Sequence, residues 1–177
     1  RVLPMLPEVL SSDACSLLPG VDRFAVSIFA VVNSAGDVGD TRFERTEIRS
    51  RHKLSYEKAQ EVLEGTSSLD QPTELALRDL RTVSRALRKS RERRGALDFD
   101  LPEARVVLGE GGRPVDIQPV ERLESHRLVE DFMLLANEIA AAEATQHGIP
   151  VLYRVHEPTP ADRISYLRRF LSRLGHS

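Results

Sequence analysis

Turn-forming and chain-stopping residues recur along this chain at intervals that leave few choices of element order. Asn33-Ser34-Ala35-Gly36-Asp37 separates the apolar run of residues 21–33 from a second extended stretch, Thr41 to Ile48, and the pair predicts a β-hairpin. Gly109-Glu110-Gly111-Gly112 plays the same part between Arg105–Leu108 and Val115–Ile117. Between the hairpins, Ser55 is a candidate N-cap for a short helix reaching about Glu64, with Gly65 as its stop. Pro72 suits the first turn of a longer helix that Gly95 ends. A long helix is expected from about Arg122 to His147, closed by Gly148 and Pro150. Val151 to Val155 reads as a short buried strand, and Pro160 opens a last helix carrying Ile164, Leu167, Phe170, Leu171 and Leu174. Residues 1–20, broken by Pro4, Pro7, Pro19 and Gly20, should be mostly irregular and lie over the surface.

The faces of these elements follow from periodicity. Phe24, Val26, Ile28, Ala30 and Val32 alternate with Ala25, Ser27, Phe29 and Val31, which predicts a strand covered on both sides. In the helix after Pro72 the inward stripe should be Ala76, Leu80, Val83 and Leu87, while Arg78, Arg81, Arg85 and Arg88 form a second stripe that reads as a solvated face. In the long helix Leu128, Phe132, Leu135 and Ile139 point inward. His126, Glu130 and Asn137 share another face, either a salt-bridged surface or a site where a carboxylate needs a partner.

Composition sets limits. The 177 residues are 41% hydrophobic, enough for one domain core, and no apolar run approaches the roughly 20 residues of a membrane span. The chain opens on Arg1 without a signal-peptide layout, as expected of an internal segment. Cys15 is the single cysteine, which precludes an internal disulfide or a Cys-rich zinc site, suggests a reducing, cytoplasmic setting, and reads as a small buried hydrophobe rather than a nucleophile. A net charge of -2 hides an uneven distribution: Arg81 to Arg94 holds six arginines and Lys89 against Glu92 alone. The Gly109–Gly112 run lacks the Lys-Ser/Thr of a phosphate loop, and no serine-hydrolase elbow is present. Asp98 and Asp100 are a spaced acidic pair, not read as metal ligands.

Two segments could meet nucleic acid. Arg49-Ser50-Arg51-His52-Lys53-Leu54-Ser55-Tyr56 is a basic loop running into an aromatic at a helix start, able to hold phosphate while the ring stacks on a base or sugar; the alternative is that Tyr56 packs on the helix beneath it. Arg93-Arg94-Gly95-Ala96-Leu97-Asp98-Phe99 is the second, although Phe99 reads by default as a core strand residue.

Met5-Leu6-Pro7-Glu8, Cys15-Ser16-Leu17, Pro19-Gly20-Val21-Asp22-Arg23 and His126-Arg127-Leu128-Val129-Glu130-Asp131-Phe132-Met133-Leu134-Leu135-Ala136-Asn137 together resemble the catalytic (RNB) domain of the ribonuclease II / ribonuclease R family of 3'-to-5' exoribonucleases. Tyr153-Arg154-Val155-His156-Glu157-Pro158 is also similar to it. The resemblance implies that residues 1–177 are an internal segment of one RNB domain, with an α+β fold in which a mixed sheet with β-hairpins packs against helices. It implies that Glu130 faces the RNA 3' end, where a carboxylate can accept from a ribose 2'-hydroxyl that DNA lacks. It further implies that Tyr56 contacts the 3'-terminal nucleotide, that Phe99 stacks on the last bases, and that Arg49, Arg51, Lys53 and Arg154 are candidate phosphate contacts. His156 is expected to be structural and bonded to backbone. Family members place Mg²⁺-binding aspartates upstream of the Met-Leu-Pro-Glu segment and a catalytic arginine downstream. The expected full enzyme therefore hydrolyses single-stranded RNA from its 3' end to nucleoside 5'-monophosphates, and these residues alone should be inactive; the alternative is a degenerate module that binds RNA without cutting it.

Overall fold

The computed structural model describes residues 3–99, 101 and 103–176; Arg1 and Asp100, raised above, lie outside them. The elements in order are β1 (Asp22–Val32), β2 (Val38–Arg49), α1 (Tyr56–Glu64), α2 (Gln71–Arg93), β3 (Glu103–Leu108), β4 (Pro114–Val120), α3 (Glu124–Gln146) and α4 (Ala161–Arg173). The chain divides into two compact units, Arg1–Ala140 and Ala141–Ser177. The α+β class holds, but the strands form two separate antiparallel pairs, β1-β2 and β3-β4, rather than a single mixed sheet. Parallel pairing among the described residues is confined to the isolated bridge between Pro19 and Ser50.

The first hairpin turns where its sequence demands. Asn33 Oδ1 accepts from the Ala35 and Asp37 amides, both at 2.9 Å, an Asx turn that leads the chain back into β2. Gly36 sits at φ +82 against α2, where a Cβ would lie 2.1 Å from the Ala86 carbonyl oxygen. Only glycine fits there. Arg93 at the end of α2 donates to the Ala35 carbonyl at 2.7 Å, seating the turn on the helix. Opposite residues Phe29 and Arg42 pair through the guanidinium over the ring, 4.1 Å from its centre. The expectation that β1 is covered on both sides is not met: Ala25, Ser27 and Ala30 are half-buried, whereas Phe24, Val26 and Val31 stand exposed. No second layer covers these side chains among the described residues.

The helices start and stop as their caps require. Ser55 Oγ accepts from the Lys58 amide at 3.2 Å, and Gly65 ends α1 in the left-handed region. Asp70, a cap that the proline spacing did not assign, accepts from Thr73 N–H at 3.1 Å. Its carboxyl is held below the usual carboxylate range, chiefly by the Thr73 side chain and further by His52.

Helix α2 buries only the C-terminal half of the apolar stripe expected of it, with Leu87 buried and Val83 half-buried. Ser84, Leu87 and Ser90 are its buried residues, and Ala76 and Leu80 are exposed. The cause is a polar joint to α3. Asp131, with a side chain 1% exposed, accepts from Ser84 Oγ at 2.6 Å, from Arg88 at 2.8 Å and from Arg91 at 2.7 Å. Arg85 donates twice to Glu124, at 2.6 and 2.9 Å, and Arg81 donates to the Leu63 carbonyl of α1 at 3.0 Å. The arginine stripe is more than a solvated face: Arg78 and Arg85 stay exposed, yet three of its four members tie α2 to α1 and α3. Around this joint Val62, Leu63, Leu87, Leu128 and Ile139 form the buried apolar cluster, with Leu128 and Ile139 on the α3 face that periodicity assigns inward.

Three further expectations are corrected. Cys15 is exposed, because it ends a short π-helical turn (Val9–Ala14) with no buried residue. In the second unit, residues 147–160 form no strand, and Leu152 and Val155 are exposed. Apolar residues alone cannot make a strand without a ladder partner, and none pairs here among the described residues. His156 is exposed, with no hydrogen-bond partner among those residues, instead of bonding backbone. Tyr153 Oη does bond within that unit, to Thr145 Oγ1 at 2.6 Å.

Asp131→Ala should destabilise the chain by about 3–5 kcal/mol in urea unfolding, because it strands two partly buried guanidiniums; a loss below about 1 kcal/mol would show that the joint is dispensable. The Arg85 bonds hold Glu124 below its ordinary value of 4.5, so the pair's stabilisation is present above that value and is lost as pH falls through the lower folded one. Unfolding free energy measured from pH 6 down to pH 3 should fall more steeply in the native chain than in Glu124→Gln, and equal slopes would contradict the pairing.

Candidate functional site

A single buried serine brings the first candidate residue to the third helix. Ser125, 2% exposed at the start of α3, donates through Oγ to the Tyr56 carbonyl at 2.8 Å, and its amide donates to Gln60 Oε1 at 3.1 Å. The N-terminal ends of α1 and α3 are therefore joined, although 69 residues separate Ser125 from Tyr56. Next along α3 is His126, whose ring meets that of Tyr56 with centroids 4.1 Å apart and planes tilted by 31°. His126 Nδ1 accepts from the Leu123 amide at 3.1 Å, which orients the ring and leaves the proton of the neutral form on Nε2. Tyr56 packs against α3, not the helix beneath it, and stays 43% exposed.

Glu130 follows His126 by four residues and so emerges one turn along the same face. Its Oε2 accepts from Arg122 at 2.7 Å, and the other guanidinium nitrogen of Arg122 donates to Asp98 Oδ1 at 2.6 Å. Arg127 approaches the second Asp98 oxygen at 3.7 Å. Asp98 is held below the usual carboxylate range, chiefly by its bond from Arg122, and Arg122 is pushed above the ordinary arginine range by Asp98 and then Glu130. Asp98 is fully engaged as an ion-pair acceptor.

Phe99 follows Asp98 between α2 and β3, where it is 66% exposed instead of buried in a strand. Phe99, His126 and Glu130 line one open groove of about 860 Å³, walled also by Leu101, Val120 and Arg122 and by the carboxylates of Asp98, Glu103 and Glu121. Carboxylates outnumber the cations on this wall. Such a surface repels free phosphate but accepts hydrogen bonds from hydroxyls, while the Phe99 face is open to stacking.

The basic candidates are placed differently. Arg49 ends β2 and is paired in a fork to Asp22, so its charge is already answered. Arg51 and Lys53 are exposed in the loop before Tyr56, without an ion-pair partner among the described residues. Arg154 is exposed in the second unit. No group of three or more His, Cys, Asp or Glu able to hold a metal occurs among the described residues. Sequence reasoning assigned no role to Ser125, His126 or Arg122. The signal was faint: His126 shares a helix face with Glu130, but the partners of Arg122 and Ser125 lie 24 and 69 residues away.

The RNB domain family model matches residues 1–176. The chain is 38% identical over 179 residues to ribonuclease R of Aquifex aeolicus, covering 99% of this chain and 25% of that protein. It is 36% identical over 177 residues to ribonuclease R of Thermotoga maritima, covering 98% and 25%. It therefore spans about a quarter of the length of these relatives. Among solved structures, Mycoplasma genitalium RNase R in complex with ribose methylated single-stranded RNA superposes with a TM-score of 0.93 at 28% identity, over 99% of this chain and 28% of that one.

The ring contact makes a separate, testable claim. A double-mutant cycle of Tyr56→Ala and His126→Ala, read by chemical unfolding, should return a coupling of about 0.5–1.5 kcal/mol; strictly additive losses would mean that the two rings do not stack in solution.

Proposed function

Since this chain belongs to the RNB domain family, we propose that it is an internal segment of an RNB domain and forms the nucleotide-holding wall of a cytoplasmic 3'-to-5' exoribonuclease of the ribonuclease R kind, acting on single-stranded RNA. The observation that carries this reading is that Phe99 and Glu130 line one groove whose wall includes His126, the residue on which the Tyr56 ring packs. One Glu130 oxygen is taken by Arg122, and the other is free to accept from a ribose 2'-hydroxyl. Tyr56 and Phe99 offer ring faces to the terminal sugar and bases. Arg51 and Lys53, open to solvent just before Tyr56, are better phosphate contacts than Arg49, which would have to leave Asp22. RNase R of Mycoplasma genitalium is seen with both single-stranded and double-stranded RNA, which supports an RNA ligand.

In an enzyme of this kind Mg²⁺ activates water and stabilises charge at the attacked phosphate. Among the described residues no three His, Cys, Asp or Glu are grouped to hold that ion, and Asp98 and Glu130 of the groove are paired with Arg122. In this reading metal binding and hydrolysis to nucleoside 5'-monophosphates fall to other parts of the protein, and the role of this chain is to hold and select. A module that holds RNA without cutting draws on the same observation. The intact protein given 3'-labelled RNA and Mg²⁺ separates the two readings: mononucleotide release supports the enzyme, and binding without release the module.

Within the intact protein, Glu130→Gln and Tyr56→Ala should each weaken binding of single-stranded RNA by about tenfold, in keeping with one lost charged hydrogen bond or one lost stack. Glu130→Gln should leave binding of the same sequence in DNA nearly unchanged. Equal losses on RNA and DNA in a titration by fluorescence anisotropy would contradict ribose recognition at Glu130.

A further inference from the structure

The proposed role of Glu130 leaves open what aims its carboxylate, and the groove contains an answer. We infer that Arg122 is a positioning residue whose guanidinium ties Glu130 to the Phe99 segment and so sets ribose selectivity; the inference rests on the reading of Glu130 given above. Arg122 comes just before α3 and donates in two directions, to Glu130 Oε2 at 2.7 Å and to Asp98 Oδ1 at 2.6 Å. Asp98 is the chain neighbour of Phe99, so one planar cation fixes both the acid that would accept from the sugar and the aromatic that would stack on the base.

Two physical consequences follow. An exposed glutamate on a helix surface samples several rotamers, and a hydrogen bond to one oxygen leaves the other aimed into the groove. A lone carboxylate also repels the phosphates on either side of the ribose that it reads. Arg122 answers that charge, and Arg127 at 3.7 Å helps to answer Asp98, so the four groups together are neutral.

The test uses the intact exoribonuclease that carries this chain. Its substrates are a single-stranded RNA and the same strand with 2'-deoxyribose in its last nucleotides, and the readout is the ratio of kcat/KM on the two. Glu130→Gln should lower the ribose preference. Arg122→Gln should lower it by about tenfold, the scale of a lost charge-assisted bond, with Arg122→Lys intermediate because ammonium lacks the fork. The double variant R122Q/E130Q should fall no further than E130Q. Asp98→Asn, which leaves the Arg122–Glu130 bond in place, should lower the preference less than R122Q and so guards against general unfolding. Equal losses for R122Q on both substrates, or additive losses in the double variant, would overturn the inference while leaving Glu130 in its role. An E130Q ratio equal to that of the native enzyme would overturn both.

Discussion

A carboxylate almost wholly removed from water needs several donors at once, and Asp131 obtains them from Ser84, Arg88 and Arg91 of α2. That requirement fixes the rotation of α3 about its own axis. Successive helical residues are about 100° apart, so an Asp131 turned into α2 carries Glu130 around toward the segment that follows α2. Two adjacent acids in one helix thus meet opposite fates: one is spent on holding helices together, and the other is left at a groove. His126, four residues before Glu130, comes to the same side and finds Tyr56 there. Ser125 completes the arrangement, since its hydroxyl locks the start of α1 to the start of α3. The groove is a consequence of these polar joints more than of the apolar cluster, which supplies cohesion without direction.

Much of this was legible in residues whose conformational preferences are local. The Asx turn at Asn33, the Ser55 cap, and the stops at Gly65, Gly95 and Gly148 act within a few residues of themselves, so hairpins and helices could be placed before any contact was known. The inward face of α3 was legible too, because Leu128 and Ile139 repeat at helical spacing. Tyr56 and Glu130 were singled out by motif, but the joint that brings Tyr56 to α3 runs through Ser125, which carries none.

What was misread shares one cause. Arg81, Arg85 and Arg88 look like a solvated stripe when only their own helix is considered, yet their acceptors are a carbonyl of α1 and two acids of α3. Ala76 and Leu80 look buried for the same reason, because hydrophobic periodicity cannot foresee a serine–arginine edge claiming the interior. The Val151–Val155 run has strand composition but no ladder partner among the described residues, and Cys15 sits on a turn whose neighbours all face solvent. Each error concerns a partner distant in the chain, which composition does not encode.

The charges of the groove bear on what it can hold. A surface built to clamp phosphates would present unpaired arginines, but most arginines of the first unit described above are spent on carboxylates or carbonyls. The wall around Phe99 and Glu130 instead offers acceptors and a ring face, with Arg122 keeping Asp98 and Glu130 from acting as isolated negative charges. Hydroxyls and flat bases suit such a wall, and in the proposed function phosphates are left to the exposed Arg51 and Lys53 nearby in sequence to Tyr56. Separating the two tasks has a physical advantage. Phosphate attraction is long-ranged and blind to sugar identity, while an aimed carboxylate acts only at hydrogen-bond distance, so selectivity resides in the short-range part.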